Sequence, residues 1–515
     1  MNRGAIDPIT LEVARNRLSA IADEMGGVLR RTSLSPNIKE RADCSAAVFT
    51  ASGEMLAQAE HIPVHLGSMP ESVAACIKRF EPVPGAQYAV NDPYEGGTHL
   101  NDLTIVAPVF AAGVHVAWVA NRAHHADVGG EAPGSMPVGA TTLDQEGHRV
   151  PPMLAAREGS WLDAFVSPFV AASRTPRERR GDLDAQMGSN AVAVRRLVEL
   201  VEREGLDDYR NVTTALLDYG QRRMEAALAS LPDGSYAFED FMELDDHDVA
   251  IRATVTIDAG SMMADFSGSD PQVESNINAV QAVTRSCLYY AVRVATDSTI
   301  PANGGCYRPL ELHTPSGSIV DAEPPAAVAA GNVETSQRIA DVLLGALAQA
   351  APERIPAASQ GTMNNVLVGN DEFAYYETVA GGQGARPGRD GQSGIQTGMT
   401  NTQNTPIEAL HTHYPFRVTG YTLRRGSGGV GSFRGGDGIR RELRFDVPAT
   451  LSLIGDRRRN APWPLAGGGP GAVGEDWLIR ASGSEERLPG KVTVNVEPGD
   501  RLIVLTPGGG GWGSL

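Results

Sequence analysis

Lysine is almost missing from this chain: among 515 residues only Lys39, Lys78 and Lys491 occur. None follows a GxxxxG loop, so a Walker A phosphate cradle, which needs its lysine on the phosphates, is excluded from this polypeptide. No G-x-S-x-G stretch occurs, which removes the nucleophile elbow of the α/β-hydrolases. Basic residues as a class are outnumbered, 44 Lys and Arg against 62 Asp and Glu, for a net charge of −18. A nucleic-acid binder carries the opposite excess, and an anionic membrane surface repels such a chain. The four cysteines (Cys44, Cys76, Cys287, Cys306) form no CxxC pair and read as scattered thiols of a reducing compartment. No apolar run reaches the 18 residues of a membrane span. Residues 1–31 are charged throughout, without a signal-peptide core. The expectation is a soluble, cytoplasmic protein.

Histidine, by contrast, is concentrated. Four of the eleven lie between residues 91 and 131. Residues 103–110 and 114–120 are rich in β-branched and aromatic side chains. Between them Ala111-Ala112-Gly113 reads as a three-residue hairpin loop. Folding the chain back about Ala112 sets position 99 opposite 125 and 102 opposite 122, to within a residue or two. His99 and Asp102 then face His124 and His125 at the open end of one hairpin. Two imidazoles and a carboxylate on neighbouring strand ends suit Zn, Mn or Fe. A histidine at a strand end is also commonly a satisfied core group, so the convergence carries the reading rather than any one residue. Pro108 implies that the first strand is an edge or carries a bulge.

The hydrophobic content of 42% is that of a chain that buries a core, and the length allows two to four domains. Asp7-Pro8 caps an amphipathic helix over 8–31, followed by strands at 45–49 and 54–58. His61 and His65 in HIPVH have a helical ligand spacing, but Pro63 between them disfavours a helix, so they are expected in a loop, lining a pocket at best. A short helix is predicted over 70–80. A Gly/Pro-rich loop follows at 133–152. Helices are predicted over 191–204, capped by Ser189-Asn190, and over 207–230. An antiparallel meander spans 235–266, broken at Asp245-Asp246 and Ala259-Gly260, with helices at 280–296 and 338–350. Glycine clusters then recur around 381–394, 426–438, 467–474 and 508–513 without a fixed period. The 381–394 loop holds Arg386 and Arg389, but no strand-then-helix frames it, and it reads as a loop needing positive φ. The fold class is a mixed α/β (α+β) architecture in three regions. These are an N-terminal α/β metal-site region (1–180), a region of helices and antiparallel sheet (181–360), and a glycine-rich β region (361–515).

The segments SPNIKERADCSAAVF, HIPVHLGSM, NDPYEGGTHLNDLTIVAPVF, AHHADVGG, GNVETSQRIADV, MTNTQNTPIE, DRRRNAPWPLAGGGPG and TPGGGGWG run in order along the chain. In these the sequence resembles the hydantoinase B/oxoprolinase family of ATP-dependent cyclic amidases, which is also similar to subunits of acetone and acetophenone carboxylases. The resemblance implies a divalent metal held by His99, Asp102 and His124, with Asp43 as a further ligand or near-ligand. It assigns His125 and Asp127 to orienting groups and proton transfer. ATP is implied to bind a companion hydantoinase A-like subunit in a hetero-oligomer, consistent with the missing Walker A loop. The activity implied is hydrolytic opening of a lactam or hydantoin ring, with a ketone carboxylase subunit as the alternative. Two positions depart from the family pattern, Gly398 where a histidine is expected and His411 where a glutamate is expected, both in a loop expected to shape the substrate pocket.

Overall fold

The computed structural model describes residues 6–59, 62–244 and 247–515. The first helix, α1 (Pro8–Thr32), begins as its sequence dictates. The Asp7 carboxylate accepts the Ile9 and Thr10 N–H groups, Pro8 occupies the first turn, and Arg30 and Arg31 sit in the last turn against the exposed carbonyls. After the short α2 (Pro36–Lys39) come β1 (Cys44–Thr50), β2 (Met55–Ala59), α3 (His65–Arg79), β3 (Ala86–Val90) and the long hairpin of β4 (Asp102–Ala111) and β5 (Val114–His124). With β6 (Met153–Arg157) and β7 (Ser160–Trp161) they make one antiparallel sheet in the order β2-β1-β5-β4-β3-β6-β7.

The hairpin is tighter than its sequence suggests. Ala111 pairs with Val114 across a two-residue turn, with Ala112 at φ 49° and Gly113 at φ 77°, the doubly positive geometry that matches strand twist. An irregularity between Val109 and Phe110 then skips Val116, so Asp102 lies opposite His124 rather than residue 122. β4 is an inner strand, not an edge. Pro108 is accommodated because β3 pairs β4 only at Thr104, Ile105 and Val106, leaving the proline past the end of that ladder.

α4 (Asp163–Ala172) leads to the long α5 (Pro176–Glu204) and α6 (Leu206–Leu228). α5 starts well before the predicted residue 191, and Ser189 and Asn190 lie buried in its middle. Their polar groups serve neighbouring backbone instead of a cap: Ser189 donates to the Met25 carbonyl and Asn190 to that of Ile105. α1 and α5 cover one face of the sheet through Leu18, Met25 and Leu197 against Val48, Val109 and Val119. The meander appears as β8 (Gly234–Glu243), β9 (Asp248–Asp258) and β10 (Ser261–Asp265), joined by β11 (Leu310–His313) parallel to β10. The predicted break at Asp245-Asp246 lies outside the described residues. α7 (Gln281–Ala295) and α8 (Gly304–Tyr307) precede a π-helical turn at Gly331–Thr335, which runs directly into α9 (Ser336–Ala350). α3 packs on the opposite face of the seven-stranded sheet and α9 on β8 and β9, with α7 between the two helices, so that Val73, Leu288 and Leu343 share one core with Phe49 and Val106.

Beyond α9 come β12 (Asn365–Gly369), β13 (Ala374–Thr378), α10 (Ile407–His413), β14 (Phe416–Arg424), β15 (Gly438–Phe445), β16 (Ala449–Ile454), β17 (Glu475–Ile479), β18 (Glu485–Leu488), β19 (Lys491–Val496) and β20 (Arg501–Leu505). They form two antiparallel sheets, β13-β12-β16-β19 and β14-β15-β20-β17-β18. Glycine clusters from all four stretches lie side by side and bond through their backbones. The Gly436 N–H donates to Gln383, Gly509 to Gly436, Gly429 to Gly509, and Gly511 to Gly469. Close approach, more than positive φ, is what the 381–394 loop demands. A Cβ on Gly384 would stand 1.7 Å from the Ala357 carbonyl oxygen, and only Gly388 and Gly394 of that loop have positive φ.

Gly384→Ala is therefore expected to destabilise the protein by more than about 2 kcal/mol, since backbone cannot yield as a side chain does. Gly188→Ala, in α5 with nothing within 4 Å of its added Cβ, is expected to raise the thermal midpoint slightly by stiffening the unfolded chain. Thermal unfolding of the two variants checks both signs.

Candidate metal centre

The site forms where β4 begins and β5 ends. Ahead of β4, a left-handed Gly96 (φ 97°) and the tightly packed Gly97 turn the chain, and the Asp102 N–H donates to the His99 carbonyl. His99 is thereby curled back beside Asp102. His124 arrives across the strand pair. Its N–H donates to the Asp43 carbonyl and its own carbonyl accepts from Asn37. The three side chains are buried, and one ligand atom from each lies within 4.8 Å of the others. His99 Nε2 is 3.2 Å and His124 Nδ1 3.3 Å from Asp102 Oδ1, yet that oxygen has no aligned hydrogen-bond donor. Ligand atoms about 2.0–2.2 Å from a cation stand about 3.0–3.5 Å from one another, which these spacings match. An acceptor buried without a partner is costly, and a shared cation resolves that cost. The donor set, two imidazoles and one carboxylate, fits Zn, Mn or Fe.

The surroundings fix Asp102. Its other oxygen, Oδ2, accepts from Thr98 at 3.0 Å and lies 3.2 Å from His65 Nε2, whose Nδ1 is 2.8 Å from Ser45 Oγ. The Ile62 N–H donates to Ser45 Oγ. That leaves the Ser45 hydroxyl proton for His65 Nδ1 and places the imidazole N–H toward the carboxylate. Burial opposes ionisation of Asp102, but the imidazoles of His99 and His65 outweigh it and hold the carboxyl well below its ordinary range. Tyr376 stacks on His124 at 4.9 Å between ring centroids, and the Arg41 guanidinium lies 4.7 Å from the Tyr376 ring. From the π-helical turn, Asn332 Nδ2 reaches within 3.1 Å of His99 Nε2 and 3.5 Å of Asp102 Oδ2.

Sequence reasoning missed Asn332, and it took His65 as pocket lining, which it is, but not as a partner of Asp102. His65 was expected in a loop, but Pro63 precedes the helix rather than interrupting it, and His65 opens α3. His61 lies outside the described residues. Asn332 carries no pattern that marks it. Asp43 borders the same cavity, of about 20 Å³, but stands outside the cluster of three. His125 and Asp127 do not join it either. His125 Nε2 meets Gln186 Oε1 at 3.0 Å and its ring sits edge-on to Phe169. Burial, then the charge of Arg179, hold its imidazole well below the ordinary range, hence neutral. Asp127 is consumed by the Gly129, Gly134 and Arg174 N–H groups and the Arg174 guanidinium.

Next to the small cavity is a cleft of about 640 Å³; both are bordered by Thr400. Its wall includes Gly384, Arg386 and Arg389 of the glycine loop, and Gly398. His411 is elsewhere: its Nε2 accepts the Val418 N–H and ties α10 to β14.

A mixed α/β fold with a buried two-histidine, one-carboxylate cluster defines the class. The sequence matches the Hydantoinase B/oxoprolinase family model over residues 7–515, and the chain belongs to that family. It is 41% identical over 514 residues to an uncharacterised protein of Methanocaldococcus jannaschii, covering 99% of this chain and 91% of that one. It is 38% identical to 5-oxoprolinase 1 of Arabidopsis thaliana, of which it spans 42%, with 99% of this chain covered. Among solved structures, the ATP-dependent caprolactamase from Pseudomonas jessenii superposes with a TM-score of 0.92 at 30% identity, covering 99% of this chain and 92% of that one. A nucleotide-free acetone carboxylase superposes at 0.91 with 19% identity, covering 99% and 76%, a likeness of fold alone.

Substituting His99, Asp102 or His124 by Ala is expected to weaken binding of a divalent cation by at least about 100-fold, more than loss of an orienting group would. His125→Ala should leave cation binding within a few-fold of wild type while lowering the thermal midpoint. Metal analysis and calorimetric titration of the purified variants check the contrast.

Proposed function

We propose that this chain is the metal-containing subunit of an ATP-dependent cyclic amidase that hydrolytically opens a lactam or hydantoin ring. The observation that carries the reading is the buried His99–Asp102–His124 cluster beside a cleft large enough for a small ring. A cyclic amide resists water because resonance stabilises it and its amine leaves poorly. Phosphorylation of the carbonyl oxygen by ATP, in a hydantoinase A-like partner subunit, leaves an imidate-like carbon. One water adds to that carbon and the ring C–N bond breaks, leaving an acyl phosphate and a freed amine that takes up a proton; a second water then hydrolyses the acyl phosphate. The products are the ring-opened acid, ADP and phosphate. A divalent cation, when bound, supplies the Lewis acidity that makes water nucleophilic near neutral pH.

The chain's own residues divide the remaining work. His99, Asp102 and His124 hold the cation; Thr98 and His65 keep the Asp102 carboxylate turned toward it. Asp43, on the cavity wall but outside the trio, is our candidate to accept the proton of the attacking water at its carboxylate. The proton-transfer part that the family resemblance implies for His125 and Asp127 does not suit their placement, since they are committed to Gln186 and Arg174 respectively. We assign them to holding the loop that follows β5.

The test is reconstitution with the ATP-binding partner, assayed on a small panel of lactams and hydantoins with and without ATP. Ring opening that requires ATP, this chain and an intact Asp102 is expected, with Asp102→Ala at least about 100-fold slower. The ketone carboxylase alternative, favoured by the shared fold with acetone carboxylase, predicts instead incorporation of labelled bicarbonate into a ketone and no ring opening. Ring opening by metal-free protein, or by Asp102→Ala at wild-type rate, would defeat the metal's part in the reaction, and no ATP-dependent ring opening across the panel would defeat the amidase assignment.

A further inference from the structure

Asn332 occupies an unusual place. It lies in the one π-helical turn among the described residues, Gly331–Thr335, and such turns concentrate at functional sites because they redirect a side chain out of the helical register. Only glycine can precede it: a Cβ on Gly331 would be 1.9 Å from the Asn278 carbonyl oxygen. Asn332 is 4% exposed, its Nδ2 end faces His99 Nε2 and Asp102 Oδ2 at 3.1 and 3.5 Å, and its Oδ1 has no partner.

We propose that Asn332 is a fourth protein ligand, binding through its amide oxygen the cation held by His99, Asp102 and His124. The inference rests on the reading of that trio as a metal site. An amide suits both states of such a site, since it carries a donor at one end and an oxygen acceptor at the other. Without a cation, its NH2 group faces two acceptors and donates to them. A cation claims the lone pair of His99 Nε2, and of the two groups the NH2 faced only Asp102 Oδ2, already engaged by Thr98 and His65, is then left to receive it. A half-turn about χ2 exchanges the two ends of the amide, and nitrogen and oxygen occupy nearly the same positions. The oxygen then stands 3.1 Å from the ligand atom His99 Nε2, an edge length of a coordination shell, and 3.5 Å from Asp102 Oδ2, on the carboxylate whose other oxygen faces the imidazoles. Asp43 borders the cavity but stands outside the cluster of three, and the other close polar groups are engaged. Thr98 donates to Asp102 Oδ2, and His65 is engaged between Ser45 and Asp102. Charge argues the same way. Two neutral imidazoles and one carboxylate leave a divalent site with one net positive charge, and a neutral amide completes the shell without reducing it, preserving its pull on water.

The experiment measures affinity of the metal-stripped chain for Mn(II) and for Zn(II) by chelator competition, alongside circular dichroism, in wild type, Asn332→Ala and Asn332→Asp. Asn332→Ala should bind at least about tenfold more weakly, while Asn332→Asp, which keeps an oxygen at that position, should bind as tightly as wild type or more so. Asn332→Asp keeps the proposal refutable even if the alanine variant fails to fold. A donor-only asparagine predicts that it loses affinity, and that result overturns the proposal. Wild-type affinity in Asn332→Ala overturns it too, leaving the trio intact. A wild-type chain that binds neither cation defeats the trio reading itself.

Discussion

Asp102 is the group on which the arrangement turns. A carboxylate with no exposure to speak of must be held by charge and hydrogen bonds or give up its ionised form. Here one oxygen is fully engaged, by Thr98 and His65, and the other is left facing two imidazole nitrogens without a donor. That asymmetry is the site's organising feature. The engaged oxygen fixes the plane of the carboxylate, so the free one is aimed before any cation arrives. His99 and His124 are set against it by backbone, one by a turn three residues upstream and the other by the strand pairing of Asp102 with His124. Preorganisation of this kind is what a site needs if its ligands are to stand within tenths of an ångström of a working geometry.

The parts that meet there come from distant stretches of chain. The trio belongs to the seven-stranded sheet, Asn332 to the turn before α9, and Tyr376 and Thr378 to β13. What keeps α9 in register with the two sheets beside it is a buried ionic cluster. Arg338 on α9 lies between Asp240 of β8, Asp341 of its own helix and Asp456 beyond β16, and Arg457 meets Asp240 and Asp341 from the other side. Both arginines are buried. Such a network adds little net stability against apolar packing, but removal of one member strands a buried charge, which typically costs about 3–5 kcal/mol. Its value here is positional: it leaves α9, and with it the π-helical turn, one allowed placement relative to the trio.

Much of this was legible in the sequence, and the misses have physical causes. α1 was readable because Asp7, Pro8 and the apolar spacing agree with one another. The hairpin was readable from its β-branched runs, and the trio followed although the register was off by two. A one-residue-tighter turn and the skip at Val116 shift pairing without leaving a compositional trace. Ser189 and Asn190 misled because the same hydroxyl and amide that cap a helix also satisfy a neighbour's carbonyl when buried. Pro63 misled in the opposite sense, since a proline just before a helix favours what a proline inside it forbids. Asn332 was illegible because a π-helical turn has no periodicity to read.

The glycine clusters complete the argument about specificity. Glycine-rich loops are ordinarily mobile, but here their backbones are bonded to one another at spacings that admit no side chain. The cleft wall is therefore a rigid surface, with Arg386 and Arg389 at exposed positions on it. Of the two departures from the family pattern, His411 is spent on the Val418 N–H and cannot speak to substrate choice. Gly398 can. It borders the cleft at φ +67°, and a Cβ there would stand 2.0 Å from Gln337 Oε1. Gln337 in turn receives the Met399 N–H and donates to the Thr397 carbonyl. A histidine at 398 would have to displace Gln337 and with it the 397–400 segment, whose Thr400 borders both the cleft and the small cavity. The identity of residue 398 thus shapes the cleft wall through a packing constraint.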